Sequence, residues 1–440
     1  MLNVRKWAAV VLVGGILGLA GCGGGGGTAA DGEQQEAGRG PVTLTMWAHQ
    51  GQPAEVEAIQ QIVDAFNKAH EGEIQVQLEI IPASGFAYED KVKASSAAGR
   101  APDILDVDGP NVASYAYSGI LRPLDEFFTE EELANFVPSI IEQGTWDGKL
   151  YALGAFNSSL VIFYNKKYFD EAGIKAPESL DEAWTADEFK EVARRLTIPG
   201  ERWGMDFMMH WGPAEWSTYM ASVFIWSNGG KLIADDGSRA TGYLNSPEAV
   251  EAMKWFQSFF TEGLATASPG PQDFVDGKAA MMINGPWYIA TLKQAEGLDW
   301  GVMPLPYFKK KVSPSGSWAW GITQQSKHPE AAAKVLKWLV GTDTGVIPMV
   351  KANDMPPATW DAYEKLPEYQ ELPKRIFMEQ VQKTAVARPV TPAYPMLTTK
   401  FAEAVHSIAL GTDPAEALTK AAQEVDRDIE AHGGYKPLDY

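Results

Sequence analysis

Fifteen tryptophans stand in a chain of 440 residues whose single cysteine is Cys22 and whose six histidines are scattered. That inventory favours binding over bond-making. An indole carries a polarised π face that suits the C–H face of a sugar or a cationic ligand. A thiol nucleophile has one candidate, close to the N-terminus, and an intrachain disulfide has no second partner. The chain contains no G-x-S-x-G, no P-loop and no H-E-x-x-H. A G-x-G-x-x-G match at Gly21, Gly23 and Gly26 has no strand before it and no helical pattern after it, so it reads as composition. Glycoside hydrolysis would need two carboxylates about 5–10 Å apart. With 57 Asp and Glu some such pair arises by chance, which makes it weak evidence for an enzyme. The formal charge of −20 argues against a nucleic-acid partner, which requires a basic surface.

Among the indoles, Trp287 has the most telling surroundings. Ala279–Ile283 is a continuous apolar run between Gly277 and Gly285, the pattern of a strand buried on both faces. Asn284-Gly285-Pro286 breaks the ladder, since Pro286 lacks an N–H and Gly285 can take unusual backbone angles. Trp287 follows at the carboxyl end of that strand, where open α/β sheets collect ligands. By residue type alone it also fits a core or hinge aromatic.

The elements around it are alternating strands and helices. Val42, Leu44 and Met46 alternate as a strand; Val56, Ile59, Ile62, Val63 and Phe66 share a helix face; Ile74, Val76, Leu78 and Ile80 alternate again. Strand–helix–strand at this spacing predicts a βαβ unit with parallel pairing. Ile104–Val107 reads as a short strand running through Asp108-Gly109-Pro110 into a helix that ends at Gly119. Asp108 there also fits a helix cap or turn carboxylate. Thr185-Ala186-Asp187-Glu188 is a capping box, and Ser246-Pro247 opens a helix with Val250, Met253, Phe256 and Phe260 inward.

Three stretches carry a resemblance: FxxGKAAMxxxGPW at Phe274–Trp287, PDI…YxxSGxLxPLD at Pro102–Asp125, and WDGKLYALxxxxSSxxxFYNK at Trp146–Lys166. Together with WSNGG at Trp226–Gly230 and the Gly-rich aromatic segment Ser315–Ile322, they resemble, in order, the extracellular solute-binding proteins of bacterial sugar-import ABC transporters, the maltose-binding and multiple-sugar group. The resemblance implies an α/β, two-lobed, periplasmic-binding-protein-like fold of type II, with the cleft between lobes joined by hinge crossings. It places residues 41–156 plus 312–357 in lobe 1 and residues 157–311 plus 358–440 in lobe 2. It implies ligand contacts from the rings of Trp47, Trp287 and Trp318, from Asp108 and Asn111 on the loop after their strand, and from Asn157 and Ser158 at the crossing. The cleft aromatics would come from Trp211, Trp216 and Tyr219, without the helical period deciding among them. Gly316 would bring backbone close to the ligand, Trp320 would share a face with Trp318, and Arg388 would reach the ligand, although its type also fits a surface arginine. In the maltose-binding protein the loop after Asp108 carries an Asp-Arg pair; here Pro110-Asn111 stand instead, which argues against maltose specifically.

The expected activity is therefore capture without chemistry, with no cofactor and no metal, by a monomer that hands a mono- to oligosaccharide to permease subunits in the membrane. A secreted glycoside hydrolase is the enzyme alternative. A binding protein for a quaternary amine, a polyamine or a phosphorylated polyol is the other. The N-terminus adds an address: Arg5-Lys6, an apolar Trp7–Ala20 too short to span a membrane comfortably, and Leu19-Ala20-Gly21-Cys22, which resembles a bacterial lipobox. By that resemblance residues 1–21 are a signal peptide, Cys22 is acylated, and residues 22–40 form a Gly-rich tether to the outer face of the cell membrane.

Overall fold

The computed structural model describes residues 40–436, and the signal peptide, Cys22 and nearly all of the tether lie outside them. In chain order the strands are β1 (Val42–His49), β2 (Ile74–Ile81), β3 (Ile104–Asp108), β4 (Thr145–Trp146), β5 (Lys149–Leu150), β6 (Leu153–Gly154), β7 (Val161–Asn165), β8 (Trp203–Asp206), β9 (Ala279–Asn284), β10 (Trp300–Met303), β11 (Ser313–Ser315), β12 (Trp318–Ile322) and β13 (Ala385–Ala387). Two larger sheets organise them. The first has the order β2-β1-β3-β12-β6, the second β10-β7-β9-β8.

In the first sheet β1 pairs parallel with both β2 and β3, as the strand–helix–strand pattern predicts. The connecting helix α1 (Pro53–Ala69) starts on a proline and buries Ile59, Ile62, Val63 and Phe66, the face read from the 3.6 period. Helix α2 (Ala87–Ala97) follows β2. Strand β12 runs antiparallel to β3, with Trp318 opposite Asp108. In the second sheet β9 is buried along its whole length between β7 and β8, which is why its sequence is continuously apolar rather than alternating.

Each sheet has its own core. Leu44, Met46, Ile104 and Ile322 of the first pack with Ala358, Ala362, Leu366 and Tyr369, so residues 358–369 build on the first sheet. Met205, Met281 and Ile283 of the second pack with the helix Glu215–Ser227 and with Leu397, Phe401 and Val405 of the helix Tyr394–Ala409. The capping box at Thr185 and Glu188 forms as predicted. The helix Pro247–Thr261 is rotated relative to the expected face. It buries Ala249, Ala252, Met253, Trp255, Phe256 and Phe259, leaving Val250 and Phe260 half-buried. The reason is Trp255, whose indole N–H donates to the Ala186 carbonyl (3.2 Å) and whose ring meets Phe259 (4.8 Å).

Candidate functional site

Register decides where the ends of the strands meet. His49 at the end of β1 lies opposite Ile81 at the end of β2, and Asp108 ends the neighbouring β3. Because β12 is antiparallel to β3, its first residue, Trp318, joins the same edge. On the second sheet β9 ends at Asn284, opposite the start of β7, which brings Trp287 and Ser158 to the corresponding edge. Between these edges lies a cavity of about 750 Å³, within the size range of small-molecule sites. Of the expected site residues, Asp108, Ser158, Trp211, Trp216, Tyr219, Trp287, Gly316, Trp318 and Arg388 line it.

The rings form a connected wall. Trp211 meets Trp216 edge-on at 4.7 Å, Trp216 meets Trp287 at 6.4 Å, and Tyr219 lies 6.3 Å from Trp287. From the other sheet Trp318 stacks on His49 at 3.7 Å and 9°. Trp287 packs against the cores of both sheets. Gly285 has an ordinary φ of −100°, so the turn does not need glycine for its backbone angles as the sequence reading supposed. It needs glycine because the Trp287 ring folds back over it, where a Cβ would collide with the indole.

Comparison with known proteins agrees with this architecture. The sequence profile described as bacterial extracellular solute-binding protein matches residues 50–346, more than half of the chain. The chain is a bacterial extracellular solute-binding protein. Among its relatives are the maltotriose-binding protein of Pyrococcus abyssi (28% identical, covering 72% of this chain and 68% of that protein) and the maltodextrin-binding protein of Bacillus subtilis (26%, covering 69% and 72%). Among solved structures, an ABC substrate-binding protein of Listeria monocytogenes in complex with cycloalternan superposes with a TM-score of 0.78 at 22% identity, covering 89% of this chain and 99% of that one. A solute-binding protein of Thermotoga lettingae bound with α-D-tagatose gives 0.74 at 26% identity, covering 88% and 99%. The fold is the two-lobed type II arrangement, and the family consists of binding proteins, not enzymes.

In this solute-binding protein a buried ionic network closes the floor of the cavity. Arg388, on the loop after β13, donates through both terminal nitrogens to the two oxygens of Asp108 (2.7 Å each) and through one of them to Glu215 (2.7 Å). Tyr394 and Thr398 hydroxyls also donate to Glu215, and the guanidinium lies 4.8 Å over the Tyr219 ring. Arg388 is 6% exposed, so it is neither a surface arginine nor a free one. Burial opposes its charge, yet Asp108 and Glu215 hold it well above the ordinary arginine range. Burial raises the Glu215 carboxyl, and Arg388 offsets part of that. Gly316 sits at φ +133°, and a Cβ there would press on Arg388 and Gln143.

Four expected residues lie off the cavity wall. Trp47 lies two residues before His49 on β1 and Trp320 two residues after Trp318 on β12, so each is one pleat deeper, about 7 Å back from the strand edge. Trp47 is covered by the Lys91 ammonium at 4.4 Å, and Trp320 is in the first sheet's core. Asn111 is buried in the turn Gly109–Asn111. Asn157 is fully buried and acts as a brace: its carboxamide oxygen accepts from the backbone N–H of Ser158 (2.8 Å) and Gly316 (3.0 Å), and its amide donates to Ser139 (2.7 Å). Ser158 donates to the Gly316 carbonyl and accepts from the Tyr219 hydroxyl (2.6 Å), which ties the crossing to both sides.

The sequence reading missed His49, Glu55, Glu89, His210 and Glu215 on the wall. His49 donates to Asp106 at 2.6 Å; burial would lower its imidazole, but Asp106 outweighs that and holds it above the ordinary histidine range. The signal for Glu55 and Glu89 was present, since both follow strand ends that the alternation located. Among the described residues no group of three or more His, Cys, Asp or Glu is placed to hold a metal ion.

Proposed function

We propose that this protein captures an oligosaccharide by closing its lobes on it and presents the closed form to the permease of a sugar-import ABC transporter. The supporting observation is the cavity, lined by Trp211, Trp216 and Trp287 from the second sheet and its helices, by Trp318 from the first sheet, and by hydrogen-bonding groups. Indole faces remove water from pyranose C–H surfaces, and each sugar hydroxyl that is buried must find a partner. Relatives named for maltotriose and maltodextrin, and a similar structure solved with α-D-tagatose, favour carbohydrate over other solutes. The ligand residues in this proposal are Asp108, Ser158, Trp211, Trp216, Tyr219, Trp287, Gly316, Trp318 and Arg388, with Asn157 as their brace. The lobes are divided as the resemblance implied, except that residues 358–369 go with the first and residues 312–315 go with the second, where Val312 joins its core and β11 pairs with β13. Acylation at Cys22 would hold the protein, as a monomer, on the outer face of the cell membrane.

A thermal-shift screen of residues 41–440 against mono-, di- and oligosaccharides tests this reading. A sugar that binds the native form raises the melting temperature by mass action. The expected outcome is a shift with one class of sugar that Trp287→Ala abolishes. A shift with betaine or polyamines alone, or turnover of an oligosaccharide, would overturn it.

A further inference from the structure

One guanidinium serves carboxylates from both lobes. Asp108 ends β3 of the first sheet, while Glu215 opens the helix Glu215–Ser227, which packs in the second core. Arg388 follows β13, which pairs with β11 and sets Val386 against that second core. The Arg388–Asp108 bond therefore joins the lobes, and it is buried at both ends.

The two carboxylates are held differently. Glu215 accepts from the Tyr394 and Thr398 hydroxyls, both on the helix Tyr394–Ala409 of its own lobe, as well as from Arg388. Asp108 accepts at both oxygens from Arg388, and among the described residues no group of its own lobe donates to its carboxylate. Arg388 and Glu215 thus travel together when the lobes move, and the bond that must give is the bidentate one to Asp108. That bond tolerates little displacement, because hydrogen bonds weaken steeply once distance or angle leaves the optimum. It also lies beside the crossing, where a Cβ on Gly316 would stand 3.0 Å from an Arg388 terminal nitrogen.

Resting on the reading of sugar capture by lobe closure, we infer that Asp108 and Arg388 form a latch between the lobes whose strength Glu215 sets. With Glu215 in place, closure brings the Asp108 carboxylate onto a cation that is already matched. The attraction is then modest against the solvation that both groups lose, so the lobes can reopen. Apparent affinity scales with the fraction of protein in the binding-competent form, so the latch tunes sugar affinity through the lobe equilibrium, apart from any contact with sugar.

Each carboxylate can be neutralised by an isosteric substitution, and the two effects are opposite. Asp108→Asn removes the charge that meets Arg388 on closure, so the empty protein opens. Glu215→Gln keeps an acceptor oxygen for Tyr394 and Thr398 but leaves Arg388 an unmatched cation in the open form. Asp108 is then drawn to it more strongly, and the empty protein closes. A role confined to packing or folding would move both variants in the same direction.

The test is small-angle scattering of the sugar-free protein for wild type and both variants, with circular dichroism to confirm that each is folded. The radius of gyration should be largest in Asp108→Asn, intermediate in wild type and smallest in Glu215→Gln. Glu215→Gln should also bind the sugar found in the screen about fivefold tighter. Equal radii or the reverse order overturn the latch and leave sugar capture standing. If one variant fails to fold, the other decides alone: Asp108→Asn no larger than wild type, or Glu215→Gln no smaller, overturns the latch. The predicted order of radii in a protein that binds no sugar would overturn the capture reading and leave the latch in place.

Discussion

At the scale of single residues, the cavity depends on where one ring lies and how one charge is matched. Trp287 touches the cores of both sheets while presenting its face to the cavity. Trp287→Ala should weaken ligand binding by about 2 kcal/mol or more, roughly thirtyfold, measured by titration with the sugar found in the screen. Gly285→Ala should weaken it in the same direction with a folded circular-dichroism spectrum, because the added methyl displaces the ring lying on Gly285. Unchanged affinity in Gly285→Ala would mean that the ring position does not matter to binding. Arg388 makes a different prediction. Arg388→Met leaves Asp108 and Glu215 as buried carboxylates without their cation, a loss of about 3–5 kcal/mol in urea unfolding near neutral pH. The loss should be smaller at pH 5, because burial raises the Glu215 carboxyl and protonation relieves its unpaired charge.

At the scale of elements, helix starts and strand ends set the titration behaviour of the empty protein. Burial raises Glu89 at the start of α2 and Asp206 at the end of β8, each to about 7. Their unfolded values are near the ordinary carboxylate range, about 4. Between those limits the folded state holds more protons than the unfolded one, so their stabilisation is present at low pH and lost as pH rises through 7. His49, raised by Asp106, has the same sign. The melting temperature of the ligand-free protein should therefore fall between pH 5 and pH 8, and Glu89→Gln should remove part of that slope. A melting temperature that rises over this range would contradict the assignment.

At the scale of the whole molecule, the fold is two sheets with separate cores facing each other across a cavity, an arrangement suited to hinge closure. Small-angle scattering should show a smaller radius of gyration once the ligand is added, and an unchanged radius would count against closure. The address belongs to this scale too. Cys22→Ser should release the protein from the membrane fraction into the medium or periplasm while residues 41–440 still bind ligand.

Much of this was legible in the chain because period and punctuation are local properties. The alternation in β1 and β2, the apolar run of β9, the α1 face and the capping box at Thr185 each follow from residues within a few positions of one another. The position of Trp287 at the end of its strand was legible for the same reason. What locality could not reach is depth along a strand: Trp47 and Trp320 each lie one pleat too far from the strand edge, and only strand register measures that distance. Nor could it pair Arg388 with Asp108, 280 residues apart, or show that Asn157 spends its carboxamide on Gly316. The sequence by itself determined which segments are strands and helices and which family they build, since those follow from hydrophobic period and ordered motifs. The tertiary structure alone decided which side chains share the cavity and how their charges balance, since both depend on contacts between segments that sequence distance does not encode.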